Sequence, residues 1–223
     1  REHVGQLPTV EVKRKLRSRH VGHDEVDEAL ARDQPGRLVE QRRRREAGVA
    51  YVPQDRQVEG LLLNSPLWEN AALGHQTTAP FSKGPWIDRQ GSRGRTDEIV
   101  AAFDVKTPNI DVPAHALSGG NQQKFIVGRE MVSEPKLLIA AHPTRGIDVG
   151  AQAAVWESIR QARSDGLATL LISADLDELI GLSDRILVMF HGGIVAELDP
   201  SEVTPRDLGS YMTGAARAET TSS

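Results

Sequence analysis

Leu117-Ser118-Gly119-Gly120-Asn121-Gln122-Gln123-Lys124 is the most specific string in the chain. A serine and two glycines stand directly before the helix-spaced apolar residues Phe125, Ile126, Met131 and Val132, which predicts a helix beginning at Ser118. At such a start the first backbone N–H groups have no partner in the helix and the macrodipole is positive. The serine hydroxyl adds a donor, and glycines let a phosphate approach the backbone closely, so the string reads as an anion site. A bare Ser-Gly-Gly more often only caps a helix; the length of this string and its neighbours raise it above that.

Working outward, strands and helices alternate. Val49-Ala50-Tyr51-Val52 is a short β-prone run closed by Pro53, and Pro66 to Leu73 reads as a helix with proline near its first turn. Residues 74–94 are rich in Gly, Pro, Ser and Thr and read as a loop, after which Thr96 opens a helix through Phe103. Lys136 to Ala141, Ala168 to Ser173 and Arg185 to Phe190 are apolar runs of strand length, separated by helices at Gly150 to Ala162 and Leu176 to Leu182. Gly192-Gly193 turns the last of these into Ile194 to Leu198. Strands separated by helices predict βαβ units, hence an α/β fold with a mostly parallel sheet.

Composition narrows the function classes. The chain has 223 residues, 39% apolar and 26% charged, which suits a globular domain with a sizeable core. It holds no cysteine, which excludes a disulfide framework, thiolate catalysis and Cys-ligated zinc or iron–sulfur centres within these residues. Charge and apolar content are uneven. Residues 1–46 carry a net charge of +3 and the remainder −7, and every aromatic lies at Tyr51 or beyond. The first fifty residues can therefore contribute little to a core.

Together with Tyr51-Val52-Pro53-Gln54-Asp55-Arg56 upstream and Pro143-Thr144-Arg145-Gly146-Ile147-Asp148-Val149-Gly150 downstream, the Leu117–Lys124 string resembles the ATP-binding subunit of ABC transporters. The particular form resembles the second of two tandem nucleotide-binding domains in importers of sugars or nucleosides. The likeness spans roughly residues 47–212. It implies a P-loop NTPase-like ABC ATPase domain, with a helical subdomain at about 64–128, a core at about 129–200 and an incomplete N-terminal part. Residues 1–46 are a basic segment outside the pattern, and 213–223 a polar tail expected to be disordered.

The resemblance also implies roles. Gln54 matches the glutamine loop; Leu117, Ser118, Gly119, Gly120 and Asn121 match the signature that closes over ATP held on an opposite domain; Asp148 matches an interface aspartate. ATP and Mg2+ are the implied cofactors, in a composite site shared with a second ABC ATPase domain. A transmembrane permease, and indirectly an extracytoplasmic solute-binding protein, are the implied partners, at the cytoplasmic face of the membrane. Trp68 falls in the region that would meet the permease, although core packing is the preferred reading for it.

The pattern fails at the hydrolytic residues. No G-x-x-x-x-G-K-[ST] loop occurs, the position of the expected Asp-Glu pair after Leu137-Leu138-Ile139 reads Ala141-His142, and the expected switch histidine is Ala174. Losing a general base alone costs roughly 10²–10⁴ in rate. Losing the phosphate cradle and a metal carboxylate as well removes binding and electrostatic stabilisation together. The expectation is a signature donor that does not hydrolyse ATP by itself, with no metal ligand of its own and His142 filling the position without replacing the base.

Arg42-Arg43-Arg44-Arg45 invites a nucleic-acid reading, but no aromatic lies nearby and acidic residues dominate elsewhere, so a solvated charge run at the edge of a strand is expected. Two other classes fit less well. A repair-type ABC ATPase is disfavoured by the Y-V-P-Q-D-R and P-T-R-G-I-D strings, and a non-hydrolysing regulatory binding module would lack a permease partner.

Overall fold

The computed structural model describes residues 10–12 and 37–215. In chain order its elements are β1 (Val10–Val12), α1 (Arg37–Glu46), β2 (Val49–Val52), α2 (Leu67–Ala72), β3 (Ser82–Lys83), β4 (Trp86–Ile87), α3 (Arg89–Ala102) and α4 (Gly119–Met131). There follow β5 (Leu137–Ala141), α5 (Val149–Ser164), β6 (Ala168–Ser173), α6 (Leu176–Leu182), β7 (Ile186–Phe190), β8 (Gly193–Leu198) and α7 (Pro205–Met212).

The main sheet has six strands in the order β2-β5-β6-β1-β7-β8. β2, β5 and β6 are parallel neighbours, with Val52 opposite Ala140 and Ala141 opposite Ile172. This is the parallel core the apolar runs predict, because strands buried on both faces need continuous rather than alternating apolar sequence. β1 lies antiparallel between β6 and β7, pairing Val10 with both Ser173 and Val188. The strand therefore comes from the segment read as contributing little to the core.

Helices cover the sheet through side chains with no solvent exposure, among them Leu138, Ile186, Leu179 and Leu208. Each such side chain contributes on the order of 1.5–3 kcal/mol of burial. A second cluster of helices, α2, α3 and the first part of α4, packs around Leu67, Ile99, Ile110 and Phe125. Gly128 of α4 allows a close approach between these helices: a Cβ there would lie 2.7 Å from Phe103 and 2.9 Å from Ile99. Trp68 is half-buried against this core, with the Arg89 guanidinium 5.6 Å above its ring.

Three expectations need correction. Residues 74–94 are not a loop throughout. Ser82–Lys83 and Trp86–Ile87 form a small hairpin, and α3 begins at Arg89, where the Asp88 carboxylate caps the Gln90 and Gly91 N–H groups. Gly91, read as a loop residue, is required by packing, since a Cβ would stand 2.0 Å from the Pro80 carbonyl oxygen. Thr96 consequently lies inside the helix, buried, with its hydroxyl donating to the Ser92 carbonyl. The arginine run is helical and belongs to α1, and Arg45 turns inward to the buried Glu130 at 3.0 Å.

Residues 216–223, the greater part of the expected disordered tail, lie outside the described residues. Thr213, Gly214 and Ala215 continue from α7 through hydrogen bonds to Gly209, Tyr211 and Ser210 carbonyls.

Candidate functional site

Because β2, β5 and β6 run parallel, their C-terminal ends lie along one side of the sheet, where open α/β sheets bind ligands. β2 delivers Gln54 there, β5 delivers His142 and β6 delivers Ala174. Gln54 is exposed. His142 is half-buried at a left-handed φ of 47°, with its N–H on the Ile172 carbonyl at 2.7 Å. Burial pushes its imidazole below the ordinary histidine value, opposed by the Glu178 carboxylate and helped by Arg145. It is therefore neutral at pH 7, as a hydrogen-bonding rather than a charged group.

α4 starts where the sequence places it. Ser118 is its N-cap and is exposed, and its Oγ accepts from the Asn121 side chain at 3.0 Å. The Asn121 side-chain oxygen Oδ1 in turn accepts from the Lys106 N–H at 2.8 Å, so Asn121 locks the entry turn to the preceding chain. Leu117 is buried and anchors the turn from below. Ser118 Oγ accepts in addition from the Asn121 backbone N–H at 3.4 Å, and its hydroxyl keeps one hydrogen to donate.

The two glycines have a reason beyond the one read from sequence. A Cβ on Gly120 would meet the Ala151 methyl at 2.6 Å and Asp148 Oδ2 at 3.1 Å, and one on Gly119 would meet Arg56 Nη2 at 2.8 Å. Their vacant Cβ positions are taken by the protein itself, which brings the signature turn into contact with α5 and with the loop after β2. Asp148 caps α5 through its carboxylate, 2.9 Å from the Ala151 N–H. That hydrogen bond, ahead of the lesser backbone contacts, holds its carboxyl below the usual carboxylate range. Gly119, Gly120 and Asp148 are therefore one cluster in space, some thirty residues apart in the chain.

Several residues that organise this cluster were not identified from sequence. Arg56 donates to the carbonyls of Arg145 at 2.8 Å and Gly146 at 3.1 Å. Glu178, fully buried, accepts from the Thr144 hydroxyl at 2.6 Å and the Trp156 indole N–H at 3.2 Å, fixing the Pro143–Asp148 loop to α5 and α6. Arg56 stands in the quoted Y-V-P-Q-D-R string, but nothing local shows which carbonyls it reaches.

An ATP site of this class also needs a metal ligand set. Among the described residues no three His, Asp or Glu side chains come together, and β5 ends in Ala140-Ala141, followed by His142, where a carboxylate pair is expected. The donors present suit a phosphate, not magnesium. No described helix is long and apolar enough to cross a membrane.

No protein-family model matches the chain. Over 174 residues it is 42% identical to the guanosine import ATP-binding protein NupO of Bacillus subtilis, covering 78% of this chain and 34% of that one. Over 220 residues it is 37% identical to the glucose import ATP-binding protein TsgD13 of Haloferax volcanii, covering 97% of this chain and 39% of that one. The chain thus spans about a third of the length of the curated relatives it matches. In fold it is similar to an ATP-binding cassette solved as a dimer in a post-hydrolysis state with ADP and Pi, with a TM-score of 0.61 at 18% identity over 75% of this chain and 68% of that one. The chain has the fold of an ABC ATPase cassette and is similar in sequence to part of the sugar and nucleoside import ATP-binding proteins.

Proposed function

We propose that this chain is the signature-bearing half of a composite ATP site in an importer of a sugar or nucleoside, and that it does not turn over ATP by itself. The observation that carries the reading is the cluster of Ser118, Gly119, Gly120 and Asp148 at the start of α4, with Ser118 exposed at the N-cap, in a chain that reads Ala141, His142 and Ala174 at the expected hydrolytic positions. The nucleotide and its Mg2+ are held on a second cassette, and this chain supplies donors to the γ-phosphate as the two close together. Residues 64–128 serve as the helical unit and 129–200 as the core in this reading. The exposed apolar side chains of Val58 and Leu62, beside the Gln54 turn, support contact with a permease at the cytoplasmic face of the membrane.

The test is ATP turnover by this chain paired with a complete cassette. Ser118→Arg places a bulky side chain over the first-turn N–H groups and is expected to lower turnover by roughly 10²-fold or more. Equal rates for the two pairs refute the reading. The chain alone is expected to show background turnover only.

A further inference from the structure

The turn Arg56–Gly60 is held at both ends by guanidinium groups that engage backbone carbonyls. At its end, the buried Arg129 of α4 donates to the Gly60 carbonyl at 2.8 Å and reaches the Asn70 carbonyl at 3.3 Å. At its start, the Arg56 fork spans two successive carbonyls, those of Arg145 and Gly146, just before the α5 cap Asp148. The same fork occupies the space beside Gly119, and the Gly146 oxygen lies 3.5 Å from where a Gly119 Cβ would be. One planar group therefore touches the signature turn and the Arg145–Asp148 loop, and it is covalently two residues from Gln54.

We infer that Arg56 is a positioning residue: it sets the distance between the Ser118–Gly120 turn and the Arg145–Asp148 loop and couples displacement of either to the Gln54 turn. The inference rests on the composite-site reading above. Its physical basis is the geometry of the fork. Two N–H donors fixed in one plane match two carbonyls at one spacing, so movement of either by about an ångström breaks a bond. Gly119 has no side chain to cushion that movement. When a phosphate draws the first-turn N–H groups outward, the guanidinium must follow or lose its partners. A lysine cannot substitute, because an ammonium group has no fork.

The nucleotide is gripped by the partner cassette, so misplacing the signature turn affects closure and not capture. The experiment is steady-state ATP turnover of this chain paired with a complete cassette, comparing wild type, Arg56→Ala, Arg56→Lys, Gly119→Ala, the Arg56→Ala/Gly119→Ala double variant, and Ser118→Arg. Arg56→Ala is expected to lower kcat by roughly 10- to 100-fold with KM for ATP changed by less than about twofold. Arg56→Lys is expected to recover little of it. The Gly119→Ala methyl displaces the same guanidinium, so the double variant is expected to be no worse than the poorer single, whereas independent roles would multiply the losses. Wild-type kcat in Arg56→Ala, or multiplied losses in the double, overturns the inference if Ser118→Arg still abolishes turnover. If Ser118→Arg is also without effect, the composite-site reading itself has failed. Thermal unfolding of each variant accompanies the assay. Should Arg56→Ala not fold, Arg56→Lys decides: a kcat loss at constant KM supports the inference and wild-type kcat overturns it.

Discussion

Arg45 and Glu130, 85 residues apart in sequence, meet at 3.0 Å where the first described helix crosses the end of α4. Glu130 is fully buried and accepts in addition from Arg129 at 3.0 Å and from the Tyr51 N–H at 3.2 Å. Burial raises its carboxyl, and the neighbouring Arg129 and Arg45 charges outweigh that and hold it below the usual range. One carboxylate thus joins α1, β2 and α4. Glu130→Gln leaves Arg129 buried without its counter-charge and is expected to cost about 3–5 kcal/mol. The midpoint of urea unfolding measures it, and a shift worth less than about 1 kcal/mol counts against the linkage.

His75 completes the same cluster. Its Nε2 lies 3.1 Å from Arg45 Nη1. Arginine can only donate, so Nε2 accepts and the ring is neutral. Burial, reinforced by Arg45, Arg129 and Arg95 against the pull of Glu130, pushes His75 down to about 4. The unfolded chain takes up this proton near 6.5, so between pH 6.5 and 4 the unfolded state binds more protons and stability rises with pH. The contribution is complete above 6.5 and is lost as pH falls toward 4. Between pH 7 and 5 it amounts to about 2 kcal/mol, and His75→Gln is expected to remove that part of the pH dependence. Denaturant titrations of both proteins at the two pH values decide it.

Glu178 is the corresponding anchor on the other side of the site. Glu178→Ala leaves the Thr144 hydroxyl and the Trp156 indole N–H without their acceptor and is expected to cost about 2–4 kcal/mol. Trp156 fluorescence reports the change directly through a red-shifted emission. An unaltered spectrum would show that the Pro143–Asp148 loop is held by something else.

Gly120→Ala and Gly128→Ala separate site from scaffold. Both add one methyl to α4, meeting Ala151 in the first case and Phe103 with Ile99 in the second. Each is expected to destabilise by about 1–3 kcal/mol. Only Gly120→Ala moves the signature turn off α5, so it alone should lower turnover by the paired cassettes after correction for the folded fraction.

Much of this was legible in advance where the cause is local. Apolar runs located β2, β5, β6 and β7 to within a residue or two, and the serine before two glycines located the start of α4. α7 also carries a local signal, the Thr204-Pro205-Arg206-Asp207 capping box with proline at its first position. What escaped depends on partners distant in the chain. Glycines at 91 and 94 suggested a loop, and only the close approach of Pro80 shows why a helix keeps glycine at 91. Nothing near Arg45 or Arg56 indicates Glu130 or the Arg145 carbonyl, because a charged side chain carries no periodic pattern that reveals what it will meet. The signature glycines are legible as a motif, and what the sequence does not show is that their missing Cβ atoms also make room for Arg56 and Ala151.

The place of β1 has a consequence for the order in which the chain can assemble on the ribosome. Pairing of β2 with β5 and of β5 with β6 is available once residue 173 has emerged, but the pairing of Val10 with Val188 is not. Until then β1, once paired with the Leu171–Ser173 side of β6, presents its other side as an open strand edge on the nascent chain, able to accept an extended segment. β1 thus completes its pairing only when β7 arrives, and the interval is a window for holdase chaperones to occupy.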